Sequence, residues 1–176
     1  MRMLAVCLLG LALAPVVLAQ HAPHAHGVAE LRVAVDGKRL HIELESPLDN
    51  LVGFEHAPQT ARERAALAAA EKTLRGGDAL FVLPAEAGCV LEAVELESPY
   101  PQSAGDDPAH GPDDEEGHSD MDVTYEFDCA NPAALNAMRV NLSAVFPRMQ
   151  RVLAETATPA GQGKATLDKS RRTLPL

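Results

Sequence analysis

The sequence contains no His-Glu-x-x-His helix, no Gly-x-Ser-x-Gly elbow and no glycine-rich phosphate loop. The usual frameworks of zinc hydrolases, serine hydrolases and nucleotide-binding enzymes are therefore missing, and no catalytic step is expected. Positive charge is also scarce: 15 Lys and Arg stand against 25 Asp and Glu, a formal net charge of −10, with no basic patch. Phosphate backbones and anionic lipid surfaces are poor partners for such a chain, which excludes nucleic acid and favours cations. Internal repeats are absent. The one long apolar run, residues 4–18, falls short of the ~20 residues that a membrane-spanning helix needs.

That run has another use. Arg2 precedes it and Val17-Leu18-Ala19 closes it with small residues at the cleavage positions, the pattern of a secretory signal peptide over residues 1–19. Its removal takes away Cys7, starts the chain at Gln20 and leaves no segment for stable membrane insertion. Two cysteines remain, Cys89 and Cys129. In an exported protein an isolated pair most often forms a disulfide, worth roughly 4 kcal/mol for a loop of this length, with a pair of zinc thiolates as the alternative.

The remaining chain reads as a His-rich segment, residues 20–28, followed by one domain, residues 29–176. From Ala29 the apolar residues Ala29, Leu31, Val33 and Val35 alternate with Glu30, Arg32 and Ala34. Asp36-Gly37 reads as a hairpin turn, with Leu40, Ile42 and Leu44 on the returning strand. Pairing Val35 with Lys38 sets Val33 opposite Leu40, Leu31 opposite Ile42 and Ala29 opposite Leu44. The same register opposes Glu30 to Glu43 and Arg32 to His41 on the outer face, where either Arg32 and Arg39 relieve the repulsion or a cation sits between Glu30, Glu43 and His41.

Residues 48–58 have neither helical nor strand period and read as a packed loop. Thr60 with Glu63 forms a capping box ahead of a helix that ends at Gly76-Gly77. Residues 80–83 are a short apolar core run. Residues 89–98 and 122–129 read as strands, with Cys89 facing Cys129, Leu91 facing Phe127 and Ala93 facing Tyr125. A short helical turn after Asn131, strands over 138–146 and 150–158, a turn at Gly161-Gln162-Gly163 and a last strand over 164–167 complete the expectation: an α+β single domain, mainly antiparallel sheet, with one clear α-helix and a long acidic hairpin loop.

That loop is residues 103–122, SAGDDPAHGPDDEEGHSDMD. Its few apolar side chains cannot repay the entropy of ordering it. His110 and His118 lie among its carboxylates, so it is either a weak, promiscuous cation site, suited to Ca²⁺ as well, or a solvated linker. The chain has seven histidines, all outside the signal segment. His24 and His26 are two apart, so in extended chain their rings project to one side about 7 Å apart, near enough to share one ion, with His21 as a third. His56 follows Glu55 in an apolar setting, where it serves either as a core residue or as part of a pre-formed site.

Several segments together resemble the ZrgA-type zinc-uptake proteins of Gram-negative bacteria. They are His24-Ala-His26-Gly27, the run from Glu43-Leu-Glu45-Ser46-Pro47 through Leu48-Asp49-Asn50-Leu51-Val52-Gly53-Phe54-Glu55-His56-Ala57-Pro58, Ala87-Gly88-Cys89, Cys129-Ala130-Asn131-Pro132, and Gly161-Gln162-Gly163. The resemblance runs from His24 to Leu176, and the segment from Glu43 to Pro58 is its most specific part. It implies a periplasmic protein that binds Zn²⁺ and assists its import beside a zinc transporter of the envelope. Members carry a long His-Asp-rich insert between the cysteine-bearing strands. Here the insert keeps its carboxylates but has only His110 and His118, which moves weight to His24, His26 and His56, with Glu55 beside them and His21 and His41 as further candidates. The rival reading is a non-catalytic envelope interaction module whose acidic loop has no specific metal role or binds Ca²⁺.

Overall fold

The computed structural model describes residues 25–100 and 119–176. The signal-like segment, His21, His24, His110 and His118 lie outside the described residues, as does most of the acidic stretch. Along the described chain run β1 (Val28–Asp36), β2 (Arg39–Pro47), α1 (Leu48–Val52), α2 (Ala61–Leu74), α3 (Gly77–Leu80), β3 (Phe81–Val82), β4 (Cys89–Glu97), β5 (Asp120–Cys129), β6 (Ala137–Val140), α4 (Leu142–Val145), β7 (Arg151–Thr158), β8 (Gly161–Leu167) and β9 (Thr173–Pro175).

Strict alternation drives the first hairpin: Ala29, Leu31, Val33, Leu40, Ile42 and Leu44 are all buried, while their neighbours face outward. The register is two residues away from the expected one. Asp36 pairs with Arg39, Val33 with Ile42 and Leu31 with Leu44, so the two-residue turn is Gly37-Lys38, with Gly37 at φ 58°. A slip of two residues keeps every apolar side chain on the same face, so alternation alone cannot select the register. Charge favours the observed one: Arg32 now stands opposite Glu43 and Asp36 opposite Arg39, and Arg32 bonds both Glu30 and Glu45, the glutamates that this register opposes.

The larger sheet has the order β4-β5-β2-β1-β7-β8, and the smaller has the order β3-β6-β9. All pairings are antiparallel except β1 with β7, which run parallel and join the two ends of the sequence at the centre of the large sheet. The inner face of that sheet meets α2 through Leu67, Ala70 and Leu74, and the hydroxyl of buried Tyr125 donates to the Leu74 carbonyl at 2.9 Å. Gly77 lies so close to the Tyr125 ring that an added Cβ would be 2.7 Å from it, which accounts for glycine there. The α2 capping box is formed as expected: Thr60 accepts from the Glu63 amide, and Glu63 accepts from the Thr60 and Gln59 amides.

Cys89 pairs with Cys129 in a disulfide at the open end of β4 and β5. Leu91 faces Phe127 as expected, but a bulge at Glu92 then shifts the register, so that Ala93 faces Glu126 and Val94 faces Tyr125. The shift is one that an alternating Val-Glu pattern cannot announce. The second arm also starts earlier than expected, at Asp120, because Met121 is buried and Asp120 pairs with Pro47.

Other short elements differ from expectation. The start of the presumed packed loop winds into the single turn α1, closed by the Gly53 amide donating to the Asp49 carbonyl. The expected strand over 138–146 ends at Val140, because the Asn141 amide turns to the Leu80 carbonyl and α4 follows. β8 already begins at Gly161, since Gly161, Gln162 and Gly163 pair with Thr158, Ala157 and Thr156 instead of forming a turn. The three-residue β9 has no counterpart in the sequence pattern; it is held by Leu174, which is buried. None of the described helices is long and apolar enough to cross a membrane.

Candidate metal centre

His26 is placed by its neighbour. The Gly27 amide donates to Asn50 Oδ1 at 2.6 Å, and the Gln150 and Arg151 amides both donate to the Gly27 carbonyl at 2.8 and 2.9 Å. Asn50 is fully buried in α1, and its amide nitrogen donates to the Val28 carbonyl at 2.8 Å and to Ser46 Oγ at 3.2 Å. The turn entering β1 is thereby tied to α1 and to β7, which leaves little freedom for the His26 backbone.

From that anchor the exposed His26 ring reaches Glu55, with Nε2 3.1 Å from Oε1. On the opposite edge of the ring, Nδ1 is 4.0 Å from Asp49 Oδ2. Asp49 is itself held by Arg148, whose Nη2 donates to Oδ1 at 2.7 Å and to Oδ2 at 2.9 Å, while Nε donates to the Asp49 carbonyl at 2.9 Å. Glu55 is fixed through its backbone, since the Tyr100 hydroxyl donates to its carbonyl at 2.8 Å. At the other border of residues 101–118, the Leu48 amide donates to the Ser119 carbonyl at 2.9 Å. Tyr100 and Ser119, the residues on either side of 101–118, are thus bonded to the segment that carries Asp49 and Glu55.

Imidazole with carboxylate is a donor set for Zn²⁺. One ion uses only one ring nitrogen, however, so Nε2 with Glu55 and Nδ1 towards Asp49 are separate directions around the same ring. Among the described residues no group of three or more His, Cys, Asp or Glu is gathered to hold a metal ion.

A family model described as "ZrgA family zinc uptake protein" matches residues 23–176. The chain belongs to this family. No curated protein matches it. The ZrgA match begins just before His24 and runs to the last residue, which spans the region over which the motifs were recognised in the sequence.

Within this ZrgA chain the structure brings His26 and Glu55 together and gives His56 other contacts. The His56 ring stacks on Phe54 at 5.3 Å between centroids, and its Nδ1 is 3.0 Å from the Ala57 carbonyl. His41 lies on the outer face of the large sheet, between two strands' carboxylates: Nδ1 is 2.9 Å from Glu126 Oε1 and Nε2 is 3.0 Å from Glu43 Oε1. Carboxylates only accept, so this arrangement calls for a proton on both nitrogens. Partial burial works against that charge, but the hydrogen bonds with Glu43 and Glu126 outweigh it and raise the His41 pKa. Arg32 bonds Glu30 and Glu45 and approaches Glu43, so an arginine sits between the outer-face glutamates. Cys89 and Cys129 are bonded to each other and offer no thiolates.

The His41 clamp gives a pH prediction. A folded-state pKa above the ordinary 6.5 means that the clamp's contribution is complete below about pH 6.5 and is lost as pH rises through the folded value. Thermal melts of the wild type and His41→Gln are expected to differ most below about pH 6.5 and to converge as pH rises through the folded-state value. A gap that widens with rising pH would contradict the doubly protonated clamp.

The sequence pattern alone does not mark Asp49, Asn50, Arg148 or Tyr100 as site residues. The available signal was local: Asp49-Asn50 stands between apolar Leu48 and Leu51 directly after Pro47, an unusual place for two polar residues without a structural task.

Proposed function

We propose that the protein captures Zn²⁺ in the periplasm and passes it to a zinc transporter of the envelope, without a catalytic step. His26 Nε2 and Glu55 supply two donors, and His24, two residues ahead of His26, supplies another. The observation that carries this reading is the 3.1 Å approach of His26 to Glu55 from a turn fixed by Asn50, in a family described as zinc uptake proteins. The acidic stretch 103–122 acts as an accessory. Tyr100 and Ser119, on either side of residues 101–118, are bonded to Glu55 and Leu48, and the carboxylates of the stretch raise the local cation concentration. A site with few protein ligands and exposed edges also suits a carrier, because ligand exchange with an acceptor needs open positions. Residues 1–19 serve as the export signal in this reading.

Calorimetric titration of the chain beginning at Gln20 with Zn²⁺ tests the proposal. Binding tighter than ~100 μM is expected, with replacement of His26 by Ala weakening it at least ~30-fold, about 2 kcal/mol. His56→Ala is expected to stay within about twofold of the wild type. Failure to bind zinc, or equal losses for His26 and His56, would overturn the assignment. A Ca²⁺ module would instead ignore the loss of His26 and respond to neutralisation of Asp113 and Asp114.

A further inference from the structure

We infer that Asp49 is a positioning residue for zinc capture: once Nε2 engages zinc, Asp49 orients the His26 ring by accepting from Nδ1–H, and Arg148 opposes that closure. The inference rests on the reading of His26 and Glu55 as zinc donors and adds the residues that set how firmly they hold.

Three observations support it. His26 faces carboxylates on both edges, with Glu55 at 3.1 Å from Nε2 and Asp49 at 4.0 Å from Nδ1. A ring that gives one nitrogen to a metal gains basicity and a fixed tautomer when a carboxylate takes the proton on the other. Asp49 is the group in that position, and its side chain is only 11% exposed, so its charge is poorly screened. Finally, 4.0 Å is too long for a hydrogen bond, and Arg148 engages both Asp49 oxygens and the Asp49 carbonyl.

Asp49 and Arg148 differ in exposure. Asp49 is fixed in α1, whereas the Arg148 side chain is 56% exposed and reaches in from solvent. When Nε2 takes zinc, the proton is held on Nδ1, and a small movement of either side chain closes the gap to Oδ2. Arg148 opposes that closure by sharing the oxygens and by its own positive charge near the incoming ion. The pair thus sets an intermediate affinity, strong enough for capture and weak enough for release.

A cycle of variants titrated with Zn²⁺ alone, above the histidine titration range at pH 8, tests the inference. Asp49→Asn is expected to weaken zinc binding about tenfold, as loss of an orienting carboxylate does elsewhere. Arg148→Gln is expected to tighten it about threefold, because Asp49 is then free to close on Nδ1. Neither change is expected to alter the residual binding of a His26→Ala background, since both act through that ring. Nitrogen-detected NMR of the zinc-loaded wild type is expected to show the His26 proton on Nδ1, and in Asp49→Asn a mixture of tautomers.

Wild-type affinity in Asp49→Asn, or an equal loss with and without His26, would overturn the inference and leave the zinc reading standing. Unchanged zinc binding in His26→Ala alone would instead overturn the reading on which it rests. Should Asp49→Asn not fold, Arg148→Gln carries the same cycle with opposite sign, and an affinity equal to or weaker than the wild type would then decide against it.

Discussion

Replacing Asn50 with alanine is expected to lower stability by about 2–4 kcal/mol and to weaken zinc binding as much as removing His26 itself. The side chain is 1% exposed and makes three hydrogen bonds, accepting from the Gly27 amide and donating to the Val28 carbonyl and to Ser46 Oγ. Alanine leaves buried polar groups on the β1 entry turn without partners, at about 1–3 kcal/mol for each one that water cannot reach. The turn carrying His26 would then separate from α1, and with it the ring from Glu55. Thermal melting should show a fall of roughly 5–12 °C for a domain of this size. A variant with native melting and native zinc affinity would show that the turn is held by the β7 amides alone.

Removing the disulfide, by Cys89→Ala with Cys129→Ala or by reduction, is expected to cost about 2–5 kcal/mol. The two cysteines are 40 residues apart and directly opposed at the end of the β4–β5 pair. β4 is an edge strand, interrupted by a bulge, with Val90 60% exposed and only partly buried apolar residues on its inner face. It therefore depends on the covalent tie more than the central strands do. Hydrogen exchange should show β4 amides losing protection first on reduction, ahead of β1 and β2. Loss of stability below ~1 kcal/mol would mean that the pairing of β4 with β5 suffices without the bond.

The elements that were legible from the sequence are those with a local, repeated signal. Alternation in β1 and β2 and the Thr60 and Glu63 capping box each declare themselves within a few residues, and Cys89 and Cys129 are legible as the two cysteines left outside residues 1–19. What escaped has a physical reason in each case. A two-residue slip of the first hairpin leaves the buried face unchanged, so only the cross-strand charges of Arg32, Asp36 and Arg39 distinguish the registers. α1 and α4 are single turns of five and four residues, too short for a helical period to show. The parallel pairing of β1 with β7 involves residues more than 120 positions apart and has no local signature. The same holds at the candidate site. His26 and Glu55 were legible as residue types, but Arg148 enters from a distant segment to hold Asp49, and nothing near position 148 announces that task.

The parallel pairing also constrains the order of events during folding. β1 is the first described strand of the chain, yet it lies between β2 and β7, and its second partner is not synthesised until residues 151–158. The β1–β2 hairpin is free to form early, since closing so short a loop takes microseconds, whereas the β1–β7 ladder carries the largest loop-closure cost of the pairings among the described residues. The Gly27 carbonyl gains the Gln150 and Arg151 amides only at that same late step. The His26 turn is thus completed by the last third of the polypeptide, and a chain cut short before β7 would have the histidine without the geometry.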